Sequence, residues 1–132
     1  MDLPLRAALI SWLAADPDLS ARLNAITEEA PARTSLPWLS IATSASADWS
    51  TKTETGYEIR IALELHCRGD LPDAAAALVS AVDARIRALP AQQSGFRVAT
   101  IRFLRAGTQQ TDAATRTALI EFSFRTINGD RS

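Results

Sequence analysis

His66 and Cys67 stand side by side, and a thiolate with a neighbouring imidazole is a familiar nucleophile. Their adjacency argues against that use. Both fall in a stretch that reads as a β-strand, where successive side chains point to opposite faces, so imidazole and sulfur face away from each other. Cys67 then reads as a small buried hydrophobe and His66 as a hydrogen-bonding residue on the polar side. Glu58 and Glu64 share a face but lie six residues apart. On an extended strand that is ~20 Å, too far for a glycosidase pair. Cross-strand salt bridging with Arg60 or Arg125 accounts better for these carboxylates and for Glu121.

Other chemistries find no footing. His66 is the only histidine and Cys67 the only cysteine, so no zinc site of several Cys and His and no intrachain disulfide can form. Neither a G-x-x-x-x-G-K-[ST] loop nor a G-x-G-x-x-G turn occurs, and the five glycines are scattered singly. Phe96, Arg97, Arg102, Phe103 and Arg105 weakly resemble the aromatic and basic interleaving of RNA-binding sheets, without an accompanying motif of that kind. A hydrophobic face under a helix explains the two phenylalanines. We therefore expect no catalytic residue, no cofactor and no metal.

Composition narrows the class further. With 132 residues, 47% of them hydrophobic and 22% charged, residues 1–132 are expected to form one domain with one core. A net charge of -1 lacks the basic excess with which most nucleic-acid binders neutralise phosphates. Lys52 is the only lysine and every other basic residue is arginine, which suits bidentate contacts between subunits and equally reflects a GC-rich base composition. Asp2 and Arg6 spoil the N-terminal apolar run as a signal peptide, and no segment reaches the ~20 apolar residues of a membrane span. A lone cysteine fits a reducing cytoplasm.

The elements that would position these residues follow from periodicity. Leu5, Leu9 and Trp12 form one helical stripe behind Asp2 and Pro4. Asp16 and Pro17 restart the chain as a second helix carrying Leu19, Leu23 and Ile26. Residues 38–42 are β-prone, and the Ser/Thr-rich residues 43–55 read as a long loop or extended hairpin arm. Tyr57, Ile59, Ile61, Leu63, Leu65 and Cys67 then alternate with Glu58, Arg60, Glu64 and His66, the signature of a strand with one face on a core. A helix capped by Asp70, with Pro72 and Asp73 in its first turn, carries Ala75, Leu78, Val79, Val82, Ile86 and Leu89 on one stripe to about Leu89. From Phe96 to Phe103 the alternation slips phase near Ala99, which a β-bulge or burial of both faces would explain. Residues 107–114 read as a polar loop, and Ala118, Ile120, Phe122 and Phe124 mark a final strand. The expected fold is α+β: about four mainly antiparallel strands with helices packed on one face, in the order ααββαββ.

Taken in order, these features resemble the tail-terminator, or tail-completion, proteins of long-tailed phages and alphaproteobacterial gene transfer agents. The resemblance covers nearly the whole chain. It rests on the opening Pro4-Leu5-Arg6-Ala7-Ala8-Leu9 helix with Leu19 and Leu23 after it, and on Pro37-Trp38-Leu39 entering a strand. It rests also on residues 57–68 running into Gly69-Asp70-Leu71-Pro72 before an Ala-rich helix, and on Arg116 with residues 118–125 near the C-terminus. It implies a structural virion protein: a homo-hexameric ring at the head-proximal end of a tail tube that stops tube growth and meets a head-side connector or stopper. DNA would pass through without specific binding, and the protein would assemble in the bacterial cytoplasm before joining a phage-like particle.

On that reading the interface candidates are Trp49, Lys52, Glu58, Arg60, Glu64, Arg105 and Arg116, drawn from loops and the polar strand face. Two other classes use similar elements. A ferredoxin-like small-molecule-binding or regulatory module predicts a stable dimer with a defined pocket, and an enzyme predicts convergent polar groups in one cleft.

Overall fold

The computed structural model describes residues 2–69 and 72–129. Its elements run α1 (Asp2–Ala14), α2 (Pro17–Arg22), β1 (Ala25–Thr27), β2 (Trp38–Asp48), β3 (Gly56–Arg68), α3 (Pro72–Arg87), β4 (Gln92–Gln93), β5 (Phe96–Gln110) and β6 (Thr115–Asn128). They build one six-stranded sheet in the order β1-β2-β3-β6-β5-β4.

This corrects the expected architecture. The sheet has six strands instead of about four, the element order is ααβββαβββ instead of ααββαββ, and the sheet is mixed because β1 runs parallel to β2. It curls into a half-barrel. The two unforeseen strands are three and two residues long, and each is held by backbone pairing to a longer neighbour rather than by an alternating side-chain pattern. The Ser/Thr-rich stretch takes the second of its two expected forms, a hairpin arm, because β2 continues through it to Asp48 opposite β3. The 107–114 loop shrinks instead: β5 continues to Gln110, leaving only residues 111–114 as a turn. There Thr111 N–H donates to the Thr115 carbonyl (2.9 Å) and Asp112 Oδ1 accepts from Ala114 N–H (2.7 Å).

One face of the sheet carries the core. Ile59, Ile61, Leu63 and Leu65 of β3 and Ile120, Phe122 and Phe124 of β6 are wholly buried, in register as Ile59↔Phe124, Ile61↔Phe122 and Leu63↔Ile120. Against them α1 lays Leu5, Leu9 and Leu13, and α3 lays Ala75, Leu78, Val82 and Ile86. Leu13 thus takes the buried place expected of Trp12. Trp12 is half-buried and joins the helices: its indole N–H donates to the Arg85 carbonyl (2.7 Å), Arg85 Nε donates back to the Trp12 carbonyl (2.9 Å), and the guanidinium lies 3.3 Å from the ring centroid.

α2 begins as its sequence dictates, with Asp16 accepting from Leu19 N–H and Pro17 following the cap. It ends at Arg22, so Leu23 is an extended cap residue and Ile26 belongs to β1, not to the helix. The capping role assigned to Asp70 lies outside the described residues. The phase slip in β5 is a register shift between Val98 and Thr100, and a second shift between Phe103 and Arg105 has no counterpart in the sequence reading. Asp83 and Arg87 pair along α3 at 3.1 Å, as their spacing predicts.

Candidate assembly interface

Among the described residues, the opposite face of the sheet carries no helix. Strand alternation sends Glu58, Arg60, Glu64 and His66 of β3 there, and antiparallel register sets Arg125, Ser123, Leu119 and Thr117 of β6 beside them. β5 adds Arg102 next to Ser123 and Arg105 next to Glu121, the second bulge having returned Arg105 to this face. Charges pair across the strands. Arg125 Nε donates to Glu58 Oε2 (3.1 Å) and Arg105 Nε to Glu121 Oε1 (2.8 Å). Each such pair is worth roughly 0.2–1 kcal/mol, because its groups stay partly in water. Arg60 and Arg102 are exposed, with no ion pair among the described residues.

The expected interface residues divide by place. Glu58, Arg60, Glu64 and Arg105 come together on this face. Trp49 follows β2 and is half-buried, with the Arg125 guanidinium 5.1 Å from its ring centroid, so it continues the Glu58–Arg125 pair towards the 49–55 loop. Gly56 permits that closeness. A Cβ at this position would stand 2.8 Å from the Thr126 carbonyl oxygen and 2.9 Å from that of Trp49. Lys52 sits exposed in the loop, whose backbone is tied by Trp49 N–H to the Gly56 carbonyl (2.8 Å) and Thr51 N–H to the Glu54 carbonyl (2.9 Å).

Arg116 goes elsewhere. Its register partner is Cys67, so it lies on the core side of β6, half-buried, with Nη2 3.5 Å from the Gly69 carbonyl. Among the residues that sequence reasoning left out of the interface, Arg125, Glu121 and Arg102 belong to this face. The alternation of β6 held the signal for the first two, but only the strand pairing shows whom they meet.

The enzymatic pairing does not assemble. Cys67 is buried on the core side, where desolvation pushes its thiol pKa up from the ordinary 9.0 and nearby Arg116 only partly opposes this. His66 points to the other side, its ring stacked on Trp38 with centroids 4.0 Å apart. Glu64 Oε2 lies 3.8 Å from His66 Nε2, and Thr117 Oγ1 lies 3.5 Å from Nδ1. These groups line one wall of an open groove of about 540 Å³, completed by Gly107, Gln109 and Leu119. The described residues contain no cluster of three or more His, Cys, Asp or Glu able to hold a metal ion. No helix among them is long and apolar enough to cross a membrane.

The family model described as tail completion protein gp17 matches residues 7–127. The chain belongs to that family. Tail-completion proteins of this kind are structural components of phage tails, and the resemblance read from the sequence is thereby borne out. Among solved structures, a chain of the virion of a native gene transfer agent particle has the same fold as this tail-completion protein, with a TM-score of 0.76. The two are 23% identical, and the alignment covers 96% of each. No curated protein matches the chain.

Proposed function

We propose that this tail-completion protein forms a homo-hexameric ring on the head-proximal end of a tail tube, ends tube polymerisation there and joins the tail to a head-side connector or stopper. One observation carries the reading: a sheet face that, among the described residues, carries no helix, is laced by partly exposed ion pairs and bears Arg60 and Arg102 without an ion-pair partner. A face buried in no core is available to another protein, and arginines with unused donors suit contacts to carboxylates and backbone carbonyls. In a ring each copy offers one patch to a different patch on its neighbour, so opposite charges need not be symmetric within the patch. Trp49, Lys52 and the 49–55 loop extend this face towards the tube or connector, and Arg116 contributes from the core side of β6 at the 111–114 turn. A net charge of -1 is compatible with DNA passing through the lumen without being held. The protein then ends as a component of a phage-like particle after assembly in the bacterial cytoplasm.

Removing the protein tests this directly: particles lacking it should show overlong or headless tails by electron microscopy, and normal tail lengths would refute termination. Arg60→Glu and Glu64→Arg test the face. Both residues stand outside the core, so circular dichroism and Tm should stay near those of the wild type while yield of joined particles falls. Native mass measurement separates the ring from a dimeric binding module, since a stable dimer in solution would count against the ring.

A further inference from the structure

Among the described residues, both margins of the sheet are left open over much of their length. β1 covers only Trp38, Leu39 and Ser40 of β2, with one further bond from Ile41 N–H to the Glu28 carbonyl, so residues 42–48 form a bare edge. β4 covers only Phe96 and Arg97 of β5, with Val98 N–H bonding the Ala91 carbonyl, so residues 99–110 form a second. Bare edges present unpaired N–H and C=O groups, and proteins usually blunt them with lysine, proline or covering loops. The stretch 42–48 reads Ala-Thr-Ser-Ala-Ser-Ala-Asp and holds neither lysine nor proline. Its small side chains leave the backbone open to approach.

Resting on the ring reading above, we propose that these edges add a backbone contact between subunits beside the charged face: β5 of one copy pairs with β2 of the next, continuing the sheet from subunit to subunit. Three features of the chain select a second copy as the occupant. Strand direction is the first. β2, β3, β6 and β5 are successively antiparallel, so β5 runs opposite to β2. Rotation about a ring axis along the strands preserves direction, and β5 therefore meets the neighbour's β2 in an antiparallel ladder. Charge is the second. The free part of β5 carries Arg102 and Arg105 and no acid, whereas that of β2 carries Asp48 and no base. Position is the third: the two edges lie on opposite margins of one curled sheet, the head-to-tail arrangement that a closed ring requires. The seven residues of the shorter edge allow a ladder of roughly 23 Å at ~3.3 Å per residue.

Hydrogen exchange read by mass spectrometry, on the free full-length protein and on assembled particles, tests the pairing. Amides within residues 43–48 and 99–110 should exchange about tenfold or more slowly in the particle. Unchanged exchange at both edges would overturn the proposal. Protection of one edge alone would also overturn it, by placing a strand of a different tail protein there. Ala45→Pro and Ser46→Pro give a second measurement. Adjacent residues of a strand turn their amides to opposite sides, so one proline strikes the β2–β3 ladder and the other strikes only the outward edge. The outward variant should stay folded by circular dichroism yet leave tails overlong. If that variant folds and closes tails normally beneath a sixfold ring, edge pairing is wrong and the ring stands. Tube ends of wild-type particles without sixfold density would instead remove the ring reading itself. If neither proline variant folds, the exchange measurement decides.

Discussion

Cys67 is where a residue's chemistry and its address disagree. Burial raises the thiol pKa above the ordinary 9.0, so at neutral pH the sulfur is a protonated, shielded core atom. Iodoacetamide should modify it at least about tenfold more slowly in the folded protein than in urea, as read by intact mass. The folded state holds this proton more tightly than the unfolded chain. The stability it contributes is therefore complete below the unfolded pKa and lost as pH rises through the higher folded value, so Cys67→Ala should cost about 1 kcal/mol of packing at neutral pH. Gly56 is constrained in a different way. A methyl group there would press on two backbone carbonyl oxygens that have no flexible end to give way. Gly56→Ala should cost about 1–3 kcal/mol in denaturant unfolding and quicken amide exchange in the 49–55 loop.

At the scale of elements, what was legible in the sequence was what burial dictates. β3 declared itself through period two because its core face is continuous from Ile59 to Cys67 and its other face is polar, with only the small Ala62 interrupting. α3 did so through Ala75, Leu78, Val82 and Ile86. β1 and β4, and the far ends of β2 and β5, left no such trace. Residues 43–48 and 105–110 are mostly exposed, and they are strands because β3 and β6 offer them backbone partners, a tertiary cause that local composition does not encode. The polar face of β3 was readable for the same reason as its core face. The side of Arg116 was missed because the strand was taken to start at Ala118, whereas β6 begins at Thr115 and carries Arg116 in the same phase as Ala118 and Ile120. The helices are coupled by a further contact that spacing could not reveal, the exchange between Trp12 and Arg85 across 73 positions. Trp12→Phe keeps the ring under the guanidinium but removes the indole donor to a part-buried carbonyl. It should cost about 1 kcal/mol and lower Tm by roughly 3–6 °C in a thermal melt.

For the whole molecule, the order β1-β2-β3-β6-β5-β4 puts the last strand made between two made earlier. β3 and β6 are joined over thirteen register pairs from Gly56↔Ile127 to Arg68↔Thr115, each closing a long stretch of chain. Pairings so distant in sequence form slowly, and nothing within residues 2–110 substitutes for them. A chain halted on the ribosome between residues 110 and 115 has β5 synthesised but only the two-residue β4 to pair with it. A fragment ending at Ala114 should accordingly lack the cooperative melt of the full chain by circular dichroism. Synthesis order thus sets the order in which surfaces appear: the margin formed by β5 comes into being only when β6 has arrived, so a polypeptide cut short before β6 should present no such margin to a neighbour.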